Sequence, residues 1–135
     1  MSSTSRPPES LQFFLDESLD SPSVVTPLRD ASARLVRATD VFPRGTPDSV
    51  WLTAAGKEGW VVLTRDKRIR YRMLERMALE SARVRTFVFT GGNVTGRETG
   101  EILVRALPKI ERIARSEPGP FIYHLGKAGK PIRMD

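Results

Sequence analysis

The sequence has 135 residues, no cysteine, and a formal net charge of +6 from 22 Lys and Arg against 16 Asp and Glu. This length fits one domain with its own hydrophobic core, and the lack of cysteine excludes a disulfide framework and cysteine-bound zinc or iron–sulfur sites. The positive charge favours a polyanionic partner, with nucleic acid first and an acidic membrane surface second. The lack of cysteine fits a reducing cytoplasm, where we expect this protein, and no apolar stretch is long enough to cross a bilayer.

The chain divides into a short tail and one domain. Residues 1–10 are rich in Ser and Pro and have no apolar core, so they do not form a secretory signal, and we expect a disordered N-terminal tail. Residues 11–135 contain no internal repeat, low-complexity tract or linker. We therefore expect them to form a single domain.

Short apolar runs predict the strands of a parallel sheet. Residues 60–64 are the clearest case, because a continuous apolar run without polar alternation is typical of a strand covered on both faces. Helical patterns separate the runs, and strands that alternate with helices imply right-handed βαβ units and an α/β fold. The predicted parallel strands are residues 11–15, 34–38, 60–64 and 84–90.

Two helices are predicted between the first three strands. The first begins at Pro22, and Pro27 is expected to kink or shorten it. The second is expected to have Thr46 as its N-cap and Pro47 at its first position. Asp48 then lies in the first turn, where the helix dipole favours an acid.

Two further helices and a final β extension complete the predicted order. One helix covers residues 68–82, and the next opens with a capping box made by Thr95 and Glu98. A strand, a turn and a short return strand follow over residues 121–134. The residues of the helix over 68–82 that we expect to face the core are Ile69, Met73, Leu74 and Met77.

Acidic and amide side chains follow the strands at one edge of this sheet. Asp16 and Glu17 follow the first strand, and Asp66 and Asn93 follow two later ones. Asp48 starts a helix that comes after a strand, so it belongs to the same edge. Because ligands bind beyond the carboxyl ends of parallel strands, we expect these side chains to meet at a site.

Such a cluster requires either raised pKa values or a bound cation. Like charges a few ångströms apart repel by roughly 4 kcal/mol per pair at an effective dielectric near 20. Oxygen ligands without His or Cys suit Mg²⁺ or Mn²⁺, which make bound water nucleophilic and offset charge on a scissile phosphate. We predict that Asp16, Asp48 and Asp66 are the catalytic metal ligands. Glu17 is expected to support them, and Thr64 and Asn93 either orient water or satisfy backbone groups.

Basic residues crowd around Asp66. A belt of this kind beside a metal site can hold a nucleic-acid backbone, although the alternative is an ordinary solvated helix face. The residues predicted to contact RNA are Arg65, Lys67, Arg68, Arg70 and Arg72.

Taken together, these motifs resemble PIN-like nucleases, specifically the small branch grouped with the VapC-type toxins of toxin–antitoxin pairs. The resemblance implies a three-layer α/β/α PIN-like fold with a mainly parallel central sheet and a short C-terminal β extension. It also implies Mg²⁺- or Mn²⁺-dependent endoribonuclease activity, 5′-phosphate and 3′-hydroxyl products, an antitoxin partner and often a homodimer. The segments that carry it are residues 14–16 (FLD), 46–48 (TPD), 51–52 (WL), 59–67 (GWVVLTRDK), 88–90 (VFT) and 92–96 (GNVTG).

The resemblance also assigns positions within the site. Asp16 and Asp66 match the first and third metal-site acids of the family, and Asp48 is the best match to the second. The chain departs at the fourth place, where many PIN nucleases have an acid and this sequence has Asn93. We therefore predict an endoribonuclease. A catalytically weak PIN-like module that binds nucleic acid or a protein partner and a DNA-directed nuclease stay open as alternatives.

Overall fold

The structure is a computed structural model that describes residues 11–134, apart from the side chain of Arg70. The expected N-terminal tail lies outside the described residues. Within them, six strands form one sheet in the order β2-β1-β3-β4-β5-β6, and all neighbours are parallel except β5 and β6. The strands are β1 (Phe13–Leu15), β2 (Leu35–Arg37), β3 (Val61–Thr64), β4 (Arg85–Phe89), β5 (Phe121–Leu125) and β6 (Pro131–Arg133).

Helices cover both faces of this sheet and produce two apolar cores. Phe13 and Leu15 point to one face and pack with the helices that follow β1 and β4, whereas Phe14 points to the other and packs with the helices before and after β3. This arrangement confirms the predicted three-layer α/β fold and the C-terminal β extension. The helices are α1 (Pro22–Asp30), α2 (Ala38–Val41), α3 (Asp48–Glu58), α4 (Met73–Ser81) and α5 (Gly96–Ser116), with a 3₁₀ helix at Lys67–Arg70.

The predicted start of α3 is wrong by one position. The helix begins at Asp48, so Pro47 is the N-cap residue, and no side-chain hydrogen bond caps the helix. The hydroxyl of Thr46 instead donates to the carbonyl of Pro43, at 2.6 Å between the oxygens. The local turn therefore competes successfully for the threonine that was expected to cap the helix.

The structure shows a break in the helix predicted over residues 68–82. The chain forms the 3₁₀ helix first and then restarts as α4, which changes the faces that its side chains present. Ile69 is fully buried as expected, but Met73, Leu74 and Met77 are exposed by 74%, 70% and 56%. The expectation that these three residues face the core is therefore wrong, and Leu79 is the buried residue of α4.

The two prolines inside helices do not end them. Helix α1 continues past Pro27 to Asp30, and α5 continues past Pro108 to Ser116. Because Pro27 has no N–H, it leaves the carbonyl of Ser23 without its intrahelical donor. Gly100 of α5 packs closely against that carbonyl, where a Cβ would lie 2.4 Å from the oxygen. Of the helices within residues 11–134, none combines the length and apolar character that a bilayer crossing needs.

Candidate active site

Asp16 is a buried carboxylate at the carboxyl end of β1. Its backbone N–H donates to the carbonyl of Leu63 on β3, at 3.4 Å, which ties the end of β1 to its neighbour. The hydroxyls of Ser18 and Thr64 each donate to one carboxylate oxygen. Burial raises the pKa of Asp16 to about 6, and the charge of Asp48 adds to the rise, although the two hydroxyls oppose it.

The hydroxyl of Thr64 links Asp16 to Asp66. Its hydroxyl is fully buried, donates to Oδ2 of Asp16 at 2.9 Å, and accepts from the backbone N–H of Asp66 at 3.1 Å. One hydroxyl can serve as donor and acceptor at once. The side chain at the end of β3 therefore sets the position of Asp66 relative to Asp16.

Asp48 reaches the same region from the first turn of α3. Its Oδ1 accepts from Nε1 of Trp51 at 3.0 Å, and this hydrogen bond fixes the carboxylate against its own helix. Burial raises the pKa of Asp48, the bond from Trp51 opposes that rise, and the charges of Asp66 and Glu75 add to it. The charge of Asp48 thus helps to raise the pKa of Asp16, and the charge of Asp66 helps to raise the pKa of Asp48.

Asp66 contacts two arginines of the segment that follows it, Arg68 and Arg72. Its Oδ1 accepts from the backbone N–H of Arg68 at 3.0 Å and so caps the 3₁₀ helix. Its Oδ2 lies 3.3 Å from Nη1 of Arg72, and the same nitrogen lies 3.8 Å from Oδ2 of Asp48. A guanidinium group therefore stands between two of the three acids.

These side chains open into a cleft of about 570 Å³, which we call the acidic cleft. Glu17 also lines it, and its Oε2 accepts from the N–H of Gly45 at 2.9 Å. Asn93 is not among the residues that line this cleft; it is exposed, with a φ of 57°, in the turn before α5. The lining residues are Asp16, Glu17, Ser18, Asp48, Arg65, Asp66, Lys67 and Arg68.

The predicted basic residues have different surroundings. Arg65, Lys67 and Arg68 line the acidic cleft. Nε of Arg68 also lies 3.5 Å from Oδ1 of Asp66, and Arg72 pairs with Asp66 and Asp48. The guanidinium of Arg65 lies 5.1 Å from the ring centre of Phe89 and donates to the hydroxyl of Thr99 at 3.3 Å. These two contacts hold the positive charge of Arg65 in place at the wall of the cleft. The side chain of Arg70 lies outside the described residues.

Sequence reasoning did not single out two hydroxyl residues at this site. Ser18 contacts Asp16 and also accepts from the backbone N–H of Arg65 at 2.8 Å, and Thr99 receives the guanidinium of Arg65. Ser18 stands two residues after Asp16, and this short spacing was the available signal. Thr99 lies on α5, far along the chain, and only the packing of that helix brings it to Arg65.

The residues present suit a hard cation in their chemistry. Within residues 11–134, no three His, Cys, Asp or Glu side chains stand close enough to hold an ion together. Asp48 and Asp66 nevertheless already share one positive group, the guanidinium of Arg72, and all the acids offer oxygen donors. Oxygen donors of this kind suit Mg²⁺ or Mn²⁺.

The parallel sheet and the acids at its carboxyl edge define the class of protein. Residues 11–91 match the family described as "PIN like domain", a segment that includes all three acids. The chain belongs to the PIN-like domain family. It is also similar to the Mycobacterium tuberculosis protein named "Putative ribonuclease VapC45", with 30% identity over 114 residues and 82% of each chain covered. No solved structure matches the chain.

Proposed function

We propose that this protein is a Mg²⁺- or Mn²⁺-dependent endoribonuclease and the toxin of a toxin–antitoxin pair. The observation that carries the proposal is the acidic cleft at the carboxyl edge of the sheet, which Asp16, Asp48 and Asp66 all line. Membership of the PIN-like family and the similarity to a protein named as a ribonuclease support the same conclusion.

In the proposed mechanism, the acidic residues of the cleft bind the metal ion and its Lys and Arg residues bind RNA phosphates. Asp16, Asp48 and Asp66 do not surround one point in the structure, so they would hold a divalent ion only after their side chains rearrange; the bound ion would supply an acidified water and offset charge on the phosphate. The hydroxyls of Ser18 and Thr64 orient Asp16, and Thr64 also orients the backbone at Asp66. Lys67 and Arg68 line the same cleft, where they would bind the phosphates that flank the scissile bond.

The proposed partners are inferred from the net positive charge of the chain and from the name of the similar Mycobacterium tuberculosis protein. A net charge of +6 suits an RNA substrate, and the VapC name of the relative supports a protein antitoxin as second partner. We also propose a cytoplasmic location and a homodimer, as the resemblance to VapC-type toxins implies. These proposals are separable, since an RNA cleavage assay with the isolated protein tests the enzyme without the antitoxin.

The decisive experiment compares acids inside and outside the cleft. Asp66→Asn and Asp16→Asn should each lower RNA cleavage by at least about a hundredfold while the circular dichroism spectrum stays native. Asp30→Asn is the matched control, because Asp30 is exposed at the end of α1 that leads back to the start of β2. Unchanged RNA cleavage by folded Asp66→Asn protein would remove the proposal.

A second candidate is a catalytically weak PIN-like module that binds nucleic acid or a protein. It is favoured by the guanidinium of Arg72 between Asp48 and Asp66 and by the exposed position of Asn93 outside the acidic cleft. A Mn²⁺ titration followed by thermal unfolding separates the two candidates. A nuclease should gain several degrees in Tm and cleave RNA in preference to DNA, whereas a binding module should show neither effect.

A further inference from the structure

A second, narrower cavity of about 260 Å³ lies beside the acidic cleft. Its walls include Val88 of β4 and Ile122 of β5, and the 3₁₀ helix contributes Ile69. These three side chains are almost completely buried, so the interior of the cavity is apolar. We call it the apolar pocket. Such a pocket suits a ligand that buries a flat apolar surface.

The apolar pocket opens next to the proposed phosphate site. Lys67 lines both cavities, and it directly follows Asp66 in the chain. Thr90, which follows β4, also lies on the pocket wall and adds a hydroxyl group. A nucleotide with its phosphate near Lys67 would therefore have its base within reach of the pocket.

Tyr71 adds an aromatic ring to this wall. Its side chain is 70% exposed, although it lies beside the fully buried Ile69 of the same segment. Proteins that recognise single-stranded RNA splay out unpaired bases and stack them on such rings. The apolar pocket and the exposed ring of Tyr71 suit a base, and the neighbouring Lys67 suits a phosphate. Together these groups suit one nucleotide.

We propose that the apolar pocket binds one unpaired nucleobase of the RNA, adjacent to the phosphate that occupies the acidic cleft. This inference rests on the proposed function, since it takes RNA as the ligand. It assigns the base preference of cleavage to the pocket walls, whereas the acidic cleft contacts only backbone atoms that all nucleotides share.

Nucleotide binding can be measured without any cleavage. The probes are the four ribonucleoside 5′-monophosphates, added without divalent ion to protein labelled at the methyl groups of Ile and Val. We expect saturable shifts of the Ile69, Val88 and Ile122 methyl signals, with at least about a threefold difference in Kd between the best and the worst base. Ribose 5-phosphate, which lacks the base, should leave these three signals in place.

Shifts that are equal for ribose 5-phosphate and the nucleotides would overturn the proposal, because they would indicate a phosphate site at Lys67 alone. The absence of any shift at the three methyl groups would also overturn it. Neither result depends on catalysis. A wild-type protein that cleaves RNA but shows no such shifts retains the proposed function and loses the pocket.

Variants of Tyr71 test the ring separately. Tyr71→Ala should weaken binding of a short single-stranded RNA about tenfold, the loss expected for one stacked base, whereas Tyr71→Phe should keep the affinity of the wild type. Leu74→Ala is the matched control, because Leu74 is equally exposed on the following helix but does not line the pocket. Equal affinities for Tyr71→Ala and Leu74→Ala would contradict the proposal.

Discussion

Nη1 of Arg72 lies 3.3 Å from Oδ2 of Asp66 and 3.8 Å from Oδ2 of Asp48. Two carboxylates that line the acidic cleft and belong to different helical segments therefore share one guanidinium. The arrangement neutralises part of the negative charge that burial of these acids would otherwise leave uncompensated. A divalent ion bound to these acids would therefore compete with Arg72 for the same oxygens.

Removal of Arg72 should therefore strengthen the binding of a divalent ion. We expect Arg72→Ala to bind Mn²⁺ about fivefold more tightly than the wild type, the effect of losing roughly 1 kcal/mol of competing ion pairing at a partly exposed site. Calorimetric titration of the isolated protein measures this directly. Arg76→Ala is the control, because Arg76 pairs with Glu80 and not with the cleft acids. Weaker Mn²⁺ binding by Arg72→Ala would show that the guanidinium supports the site.

Asp16 should make the stability of the ion-free protein depend on pH. Its pKa of about 6 in the folded state lies above the ordinary value of 3.8, so the folded protein retains a proton that the unfolded chain has lost. Stability therefore falls as pH rises from about 4 through about 6, by at most about 3 kcal/mol. Asp16→Asn avoids this loss. We expect it to be more stable than the wild type near neutral pH and to lose that advantage near pH 4.

Urea unfolding in the presence of a chelator, at several pH values, measures the effect. The advantage of Asp16→Asn should be smaller than the maximum, because its amide cannot accept from both Ser18 and Thr64. A difference in unfolding free energy that stays constant across the pH range would contradict burial as the cause.

Replacement by valine should have different effects at two buried threonines on adjacent strands, lowering cleavage at one and raising stability at the other. Thr64→Val removes the hydroxyl that binds Asp16 and the backbone of Asp66, so we expect a loss of cleavage rate of about ten- to a hundredfold. Within residues 11–134, the hydroxyl of Thr86 is the buried side-chain group without a hydrogen-bond partner. Thr86→Val should therefore raise the unfolding free energy by about 1 kcal/mol and leave cleavage unchanged. Equal effects of the two variants would contradict the hydrogen bonding described here.

Gly56 should be essential for the packing of α3, which carries Asp48, against α4. A Cβ at this position would lie 2.3 Å from the carbonyl oxygen of Ala82 and 2.4 Å from its Cβ. Gly56→Ala should therefore cost about 2 kcal/mol of stability, although alanine is the better helix former. Thermal and urea unfolding measure this cost. Gly92→Ala is the control, since a Cβ there meets no atom within 4 Å, and we expect it to change stability by only a few tenths of a kcal/mol.

The break between the 3₁₀ helix and α4 shows where sequence patterns mislead. Met73, Leu74 and Met77 have helical spacing with Ile69, and that spacing predicted one buried face. The pattern assumes one uninterrupted helix, but the chain changes direction after Arg70, so the later residues face solvent. The same limit applies to Thr46, where a neighbouring carbonyl competed for the hydroxyl.

The sequence by itself determined the strands, their parallel arrangement and the acids that follow them, because continuous apolar runs and strand–helix alternation are local patterns. Tertiary structure alone decided the placement of the guanidinium of Arg72 between Asp48 and Asp66, of Arg65 against Thr99, and of Asn93 outside the acidic cleft. It also decided that an apolar pocket stands beside the acids. These features depend on how separate elements pack, and the contact between two distant side chains leaves no periodic signal in the chain.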